Sequence, residues 1–301
     1  MVEIKNEKVA IPVVLLAGLL WSFGPLVVRY MDSSTLVPWQ YLFTRGIVIF
    51  LILNIFLFLE EGKNFYKNYL KVGLSGLIGG SGLALAMITF IWSITSTTAA
   101  ITLLCLAAMP FFTALLGFLF LKERISINVW ISIAVATAGI IIMASGDTTK
   151  VSILGLVFGL TSAIGFSIFS VSLRWRKETP KFTTVAISGL ICAIFSSAIL
   201  FNNEHNFISS SYNESLFAIH GTLVCFGLIL YSIGSKVLPA AELTLLSLTE
   251  VIGGIFWVWL PILGINEIPN NNTIIGGFLI FISISYYSLT IKTNRRFIGL
   301  N

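Results

Sequence analysis

The amino-acid sequence predicts an all-α integral membrane protein with ten transmembrane helices in two inverted five-helix repeats. Composition is the first observation behind this prediction: 56% of the 301 residues are apolar and only 10% are charged. Soluble domains carry about 25% charged residues, so a soluble core does not explain this chain. The other two observations are a repeated pattern of apolar stretches and a one-sided distribution of basic residues.

Ten apolar stretches are long enough to cross a bilayer, which takes about 20 residues each. The first, at 9–28, is longer than a signal peptide core and is followed directly by another span. Residues 72–121 contain no charge and predict two spans, divided at the small polar segment 93–98. The expected spans are 9–29, 37–59, 71–94, 97–121, 127–145, 152–174, 183–202, 214–234, 237–261 and 272–292.

The spans form two sets of five that repeat at a near-constant offset of 141 positions. Gly18 recurs as Gly159, and Ala99 recurs as Ala240. Because each set has an odd number of spans, the second set must lie upside down relative to the first. The expected repeats are residues 1–149 and 150–301.

The basic residues predict the orientation of the chain in the cell (inner) membrane. With a cytoplasmic N-terminus, only Arg29 and Lys150 fall outside, Arg45 lies within a span, and the remaining 15 of the 18 lysines and arginines fall inside. The positive-inside rule therefore predicts that both termini are cytoplasmic. The same bias accounts for the net charge of +5, so we expect the lipid bilayer rather than a nucleic acid as the partner.

No metal, cofactor or catalytic motif stands out. Cys105, Cys192 and Cys225 lie in different spans without metal-ligand spacing, and no phosphate-binding loop or dinucleotide fingerprint is present. His205 and His220 have no paired ligand motif, and we interpret His220 as a packed, hydrogen-bonded residue. The sequence thus predicts no enzyme, no cofactor and no metal.

Ionisable residues within spans are functional candidates, since a central charge costs at least about 2.5 kcal/mol in a bilayer. Three are present: Arg45, Glu242 and Glu250. On a continuous helix Glu242, Thr249 and Gly253 share one face with Glu250 beside it, and this face is our expected cavity wall. Arg45 and Glu250 have similar predicted depth, so they could pair as a gate. The alternative is that both lock helices together.

Aromatic residues and proline supply further candidates for substrate binding or gating. Trp21 lies in mid-span beside Ser22, Pro110 interrupts the fourth span, and Tyr231 lies in the eighth. Pro110 removes a backbone hydrogen bond, which predicts a kink beside a cavity or a purely structural bend. The tryptophans expected in the interfacial belt are Trp39, Trp92, Trp130, Trp175, Trp257 and Trp259.

Several of these segments together resemble a known family. They are 18–29 (GLLWSFGPLVVR), the intramembrane Arg45 after Phe43 and Thr44, and the span endings 119–123 (LFLKE) and 264–267 (GINE). Their order over essentially the whole chain is similar to that of EamA-type transporters of the drug/metabolite transporter superfamily. One departure is that the glutamate–proline pair often found in the fourth and ninth spans is split.

The resemblance implies a central cavity that opens alternately to each side and moves small organic solutes, usually outward. Two intramembrane acids suggest amino acids or amines, with a proton as a candidate coupling ion. A facilitative channel or a non-transporting membrane scaffold is the alternative, and no particular oligomeric state is indicated. Positions that differ between the repeats are the expected substrate determinants. They are Trp21 against Ser162, Arg45 against Ala186, Glu242 against Ile101 and Glu250 against Met109.

Overall fold

A computed structural model describes residues 6–31, 37–123, 125–145, 152–176, 178–265, 268 and 270–297. Within these ranges every regular element is helical. The α-helices are α1 (Glu7–Trp21), α2 (Gly24–Tyr30), α3 (Val37–Glu61), α4 (Lys67–Lys71), α5 (Gly73–Ser96), α6 (Ala99–Leu106), α7 (Met109–Leu116), α8 (Ile127–Ala144), α9 (Ile153–Trp175), α10 (Lys181–Asn202), α11 (Ser211–Gly234), α12 (Ala240–Ser247), α13 (Thr249–Trp259) and α14 (Asn271–Phe297). Lys150 and Glu267, which entered the sequence predictions, lie outside the described residues.

Eight of the ten expected spans correspond to helices that are long and apolar enough to cross a membrane. The expected fifth and tenth spans correspond to shorter apolar segments, Ile127–Ile142 within α8 and Ile274–Tyr287 within α14. The predicted division at 93–98 is confirmed, because α5 ends at Ser96 and α6 begins at Ala99. The chain is therefore an all-helical, multi-pass membrane protein, and the count of ten spans stays a prediction.

Three of the spans are interrupted near their middle. Pro25 and Pro110 lack a backbone N–H, so the carbonyls of Trp21 and Leu106, four positions earlier, lose their helical partners. The regular helix is interrupted there, between α1 and α2 and between α6 and α7. The fourth span is thus interrupted just before Pro110, where the sequence predicts a kink. The ninth span breaks without proline at Leu248, whose N–H bonds Leu245 O three positions back, at 3.2 Å.

Glycines bring the helices into close contact. A Cβ on Gly82 of α5 would lie 2.9 Å from the carbonyl oxygen of Gly165 on α9, and one on Gly165 would lie 2.7 Å from that of Gly82. A Cβ on Gly46 of α3 would likewise lie 2.6 Å from the carbonyl oxygen of Gly189 on α10, and one on Gly189 would lie 2.7 Å from that of Gly46. Small residues at such crossings favour helix association in lipid, where backbones can then pack closely.

Helices from the first half of the chain pack against helices from the second half. The third span (α5) packs on the sixth (α9), and the first (α1) packs on the eighth (α11). The second span packs on the seventh (α3 on α10), and α8 packs on α14. The interrupted spans, the first, fourth and ninth, meet between these pairs and enclose the centre of the bundle.

Candidate functional site

A cavity of about 80 Å³ lies where the interrupted spans meet. Its wall is mainly apolar, with five residues that carry polar side-chain atoms: Trp21, Arg45, Ser162, His220 and Glu250. Three of these, Trp21, Arg45 and Glu250, are sequence-predicted candidates. A few convergent polar groups in an apolar concavity are typical of a small-molecule site.

Arg45 is buried and held in a fixed position. Its Nη1 donates to the Tyr41 hydroxyl at 3.0 Å, and its Nη2 donates to the carbonyl of Met87 on α5 at 3.1 Å. The guanidinium carbon also lies 4.8 Å from the centre of the Tyr41 ring. Arg45 Nε has no hydrogen-bond partner among the described residues. The guanidinium thus bridges α3 and α5, and its Nε–H is left without an acceptor among the described residues.

Tyr41 connects this arginine to His220 on α11. The Tyr41 hydroxyl is hydrogen-bonded to His220 Nδ1, and the two rings stack with their centres 5.9 Å apart. Only 2% of the His220 surface is exposed, and its Nε2 is without a partner in the described part of the chain. The interpretation of His220 as packed and hydrogen-bonded is therefore incomplete, since the ring also forms part of the cavity wall.

Glu250 lies in the first turn of α13, directly after the break in the ninth span. Its half-buried side chain reaches the cavity, and with the described residues it makes no hydrogen bond or ion pair. Arg45 lines the same cavity, but the structure does not show the direct ion pair that the predicted gate requires. The carboxylate thus lines the cavity without a hydrogen-bond partner among the described residues.

Trp21 forms the aromatic side of the cavity. Its indole N–H donates to the carbonyl of Val224 at 3.2 Å. Its ring meets Phe166 edge-on, with centres 5.4 Å apart, and packs against Tyr231 at the same distance. Tyr231 itself is fully buried behind Trp21 and shares a hydrogen bond of 2.6 Å with Ser170. Tyr231 therefore supports the wall instead of lining it.

Four other predicted residues also lie away from the cavity surface. Ser22 is buried and accepts a hydrogen bond of 2.8 Å from Trp257 Nε1. Pro110 is buried at the start of α7, and Thr249 donates to the carbonyl of Leu15 at 3.1 Å.

Glu242 lies on α12 and accepts a hydrogen bond from the Tyr287 hydroxyl. The face shared by Glu242, Thr249 and Gly253 is thus not the cavity wall. The expected face assumes one continuous helix, whereas the ninth span is divided at Leu248 into α12 and α13.

The cavity wall draws matched positions from both halves of the chain. Four pairs of lining residues are each separated by 141 positions, the offset that the sequence repeat predicts. These pairs are Trp21 and Ser162, Leu83 and Val224, Met87 and Leu228, and Met109 and Glu250. Two of the pairs are unmatched positions that the sequence marked as substrate determinants. The two halves therefore contribute equivalent positions to the cavity with different chemistry.

Sequence reasoning missed Tyr41 and His220. The only available signal was that His220 is a polar residue within an apolar span, and that pattern is more typical of a packed side chain. Its partner lies 179 positions away. A single sequence gives no information about which of these helices touch.

The long apolar helices define a multi-pass membrane protein with a cavity among its interrupted spans. Residues 8–145 match the EamA-like transporter family, which confirms the resemblance seen in the sequence over that part of the chain. Two Helicobacter pylori proteins, from strains J99 / ATCC 700824 and ATCC 700392 / 26695, are each described as an uncharacterized transporter. Each is 25% identical to this chain over 171 residues.

That alignment covers 56% of this chain and 56% of each relative, so the match spans about half the length of these relatives. A solved crystal structure aligns with 94% of this chain and 98% of its own, with a TM-score of 0.73 and 17% sequence identity. At this identity the likeness shows the fold alone.

Proposed function

We propose that this protein is a secondary transporter that moves small organic solutes, such as amino acids or amines, across the membrane by alternating access. The observation that carries the proposal is the central cavity, to which matched positions of both halves contribute and which holds an unpaired carboxylate. Solute sites of secondary transporters lie near the bilayer midplane where two repeats meet, beside interrupted helices. Glu250, Arg45 and Trp21 are the proposed solute contacts.

We further propose ten spans in two inverted repeats, residues 1–149 and 150–301. The exchanged packing partners support this arrangement, because a two-fold relation that converts the first span into the sixth also converts the third into the eighth. The contact of α5 with α9 then corresponds to the contact of α11 with α1. Movement of one repeat against the other would open the cavity to each side in turn.

Glu250 is the proposed site for an ammonium group or a coupling proton. A carboxylate without a protein partner in an apolar wall is costly, and either a cationic solute or a proton offsets that cost. We propose that the protein exports its solute in exchange for protons. Five proposed candidates lie outside the cavity wall. Ser22, Pro110, Tyr231 and Thr249 would position the wall or allow it to move, and Glu242 would take part in gating at the end of the ninth span.

Transport is tested with purified protein in proteoliposomes supplied with radiolabelled amino acids and amines, with and without a pH gradient. Uptake that saturates and that is reduced at least about tenfold by Glu250→Gln supports the proposal, since one lost charge contact is worth about that factor. Glu204→Gln, an exposed loop carboxylate, is the matched control and should leave uptake unchanged. Flux that does not saturate would indicate a channel, and no flux of any solute would favour a scaffold.

Orientation is tested separately by cysteine labelling in cells. The native Cys105, Cys192 and Cys225 are buried, so they can be replaced before single cysteines are introduced. An impermeant maleimide should label Asn203→Cys from outside, whereas Lys63→Cys should react only after the membrane is permeabilised. The reverse pattern would contradict a cytoplasmic N-terminus in the inner membrane.

A further inference from the structure

Two buried nitrogen atoms of the cavity wall, Arg45 Nε and His220 Nε2, have no hydrogen-bond partner among the described residues. Arg45 uses Nη1 and Nη2 for Tyr41 and Met87, which leaves Nε unused, and His220 uses only Nδ1. Both side chains are at least 97% buried, and both line the cavity. A buried polar group without a partner is energetically unfavourable, so such groups usually have a bound ligand or water.

The hydrogen-bond chain determines which nitrogen of His220 carries the proton. A guanidinium can only donate, so the Tyr41 oxygen accepts from Arg45 Nη1. The buried Tyr41 hydroxyl has one hydrogen, and His220 Nδ1 is its only acceptor among the described residues. If Nδ1 carried the proton instead, that hydroxyl hydrogen would have no acceptor. His220 is therefore neutral, with Nδ1 as acceptor and the proton on Nε2.

We propose that His220 Nε2–H and Arg45 Nε–H form a subsite that binds a carboxylate oxygen of the transported solute. The chain Arg45–Tyr41–His220 fixes the donor before the solute arrives, and the arginine supplies the opposite charge. This proposal rests on the proposed function for its link to transport, although the subsite itself can be tested without flux. Glu250 lines the same cavity and contributes a negative charge. The wall therefore has N–H donors on Arg45 and His220 and a carboxylate acceptor on Glu250.

Gly24 leaves the edge of the imidazole accessible. A Cβ at this position would lie 3.4 Å from His220 Cε1 and 3.5 Å from Nε2, which is ordinary van der Waals contact. Gly24→Ala should therefore fold, because the methyl group meets no clash and alanine favours the first turn of α2. The same methyl would cover the proposed donor.

The tautomer is measured directly by nitrogen NMR of protein labelled with ¹⁵N-histidine in lipid nanodiscs. The chain has two histidines, and His205→Gln assigns the remaining signal to His220. At neutral pH we expect the proton on Nε2. Tyr41→Phe removes the hydroxyl and should produce a mixture of tautomers. A proton on Nδ1, or a doubly protonated ring, in the unchanged protein would overturn the proposal.

The subsite is tested by titrating acetate and methylammonium against the same signal. Acetate should shift the Nε2 resonance with saturation, whereas methylammonium should not. His220→Asn keeps an acceptor for Tyr41 but has no donor at the Nε2 position, and His220→Gln can place an amide N–H there. The acetate concentration needed for a given thermal stabilisation should thus rise at least about tenfold for His220→Asn and Gly24→Ala. It should stay unchanged for His220→Gln.

Failure of this proposal and failure of the proposed function give different results. Glu250→Gln removes a negative charge from the cavity and should strengthen acetate binding even if the protein transports nothing. Absence of any acetate shift in the unchanged protein and in Glu250→Gln overturns the carboxylate subsite. Saturable transport that persists in that case would leave the proposed function intact.

Discussion

Single polar residues join the interrupted spans to each other. Ser22, at the break of the first span, donates to the carbonyl of Leu19 at 2.6 Å and accepts from Trp257 Nε1 of the ninth span at 2.8 Å. Trp257 also stacks on Phe23, with ring centres 4.7 Å apart. The sequence predicts Trp257 for the interfacial belt. Its contacts with Ser22 and Phe23 instead link the first and ninth spans.

Replacement of Ser22 by alanine should destabilise the protein. The Trp257 N–H would lose its acceptor in a partly buried position, at a cost of about 1 kcal/mol. The measurement is the loss of thermal stability in detergent. Ser197→Ala is the control, because Ser197 makes a similar bond to a carbonyl three residues earlier, Ile194 O, but is more exposed.

A double-mutant cycle with Trp257→Phe isolates the contact between the two side chains. If Ser22→Ala lowers the stability because the indole N–H loses its acceptor, the same change should lower the stability much less in the Trp257→Phe protein. Equal losses in both backgrounds would show that the hydroxyl stabilises only its own helix.

Residue type and depth predicted part of the cavity correctly. Trp21, Arg45 and Glu250 all line it, and each is a residue type that is unusual in the middle of a span. His220 and Tyr41 were missed because their roles come from a contact between two distant helices. A sequence shows which ionisable residues lie within apolar spans. It does not show which side chain on another helix completes a hydrogen-bond chain.

At the scale of helices, the breaks determine what reaches the cavity. Proline predicts an interruption, because the missing N–H is a local property of the sequence. The break at Leu248 has no such signal, and the face predicted for the ninth span assumes one continuous helix. Glu250, after the break, lines the cavity, whereas Glu242, before the break, hydrogen-bonds with Tyr287.

Pro110→Ala should make the fourth span more rigid. Alanine restores an N–H that can bond the carbonyl of Leu106, so we expect higher thermal stability and slower turnover in proteoliposomes. Pro12→Ala is the matched control, since Pro12 also lies inside a helix but is exposed and outside the cavity wall. Equal changes in turnover for the two variants would contradict a special role for the fourth-span break.

Gly46→Ala tests the close crossing of α3 and α10. The added methyl would lie 2.6 Å from the carbonyl oxygen of Gly189, so the helices would have to separate. Overpacking of this kind costs about 1–3 kcal/mol, and we expect a corresponding fall in thermal stability. At Gly277 of α14 a Cβ meets nothing within 4 Å among the described residues, so Gly277→Ala should not lower thermal stability. A neutral Gly46→Ala would show that the crossing can relax without cost.

At the scale of the whole molecule, polar contacts close the bundle on the side of Glu123. Its carboxylate pairs with Arg174 Nε at 2.7 Å and accepts from the backbone N–H of Ala240 at 3.3 Å. Arg174 also donates to the carbonyl of Ser235 at 3.1 Å. These bonds tie the end of the fourth span to the sixth, eighth and ninth. At the opposite end Arg29 donates to the carbonyl of Ile94, which is 141 positions before Ser235.

Glu123→Gln should favour opening of the cavity on that side. Glutamine can still accept from Ala240, but it loses the charge that pairs with Arg174, and such a partly exposed pair is worth about 1 kcal/mol or less. Opening should therefore become up to about fivefold more frequent. The measurement is the rate at which a maleimide labels Leu106→Cys, a cavity position, in protein without the native cysteines. Glu178→Gln, an exposed carboxylate before α10, is the control and should leave the rate unchanged. Equal rates for Glu123→Gln and the parent would mean that this ion pair does not hold the closed state.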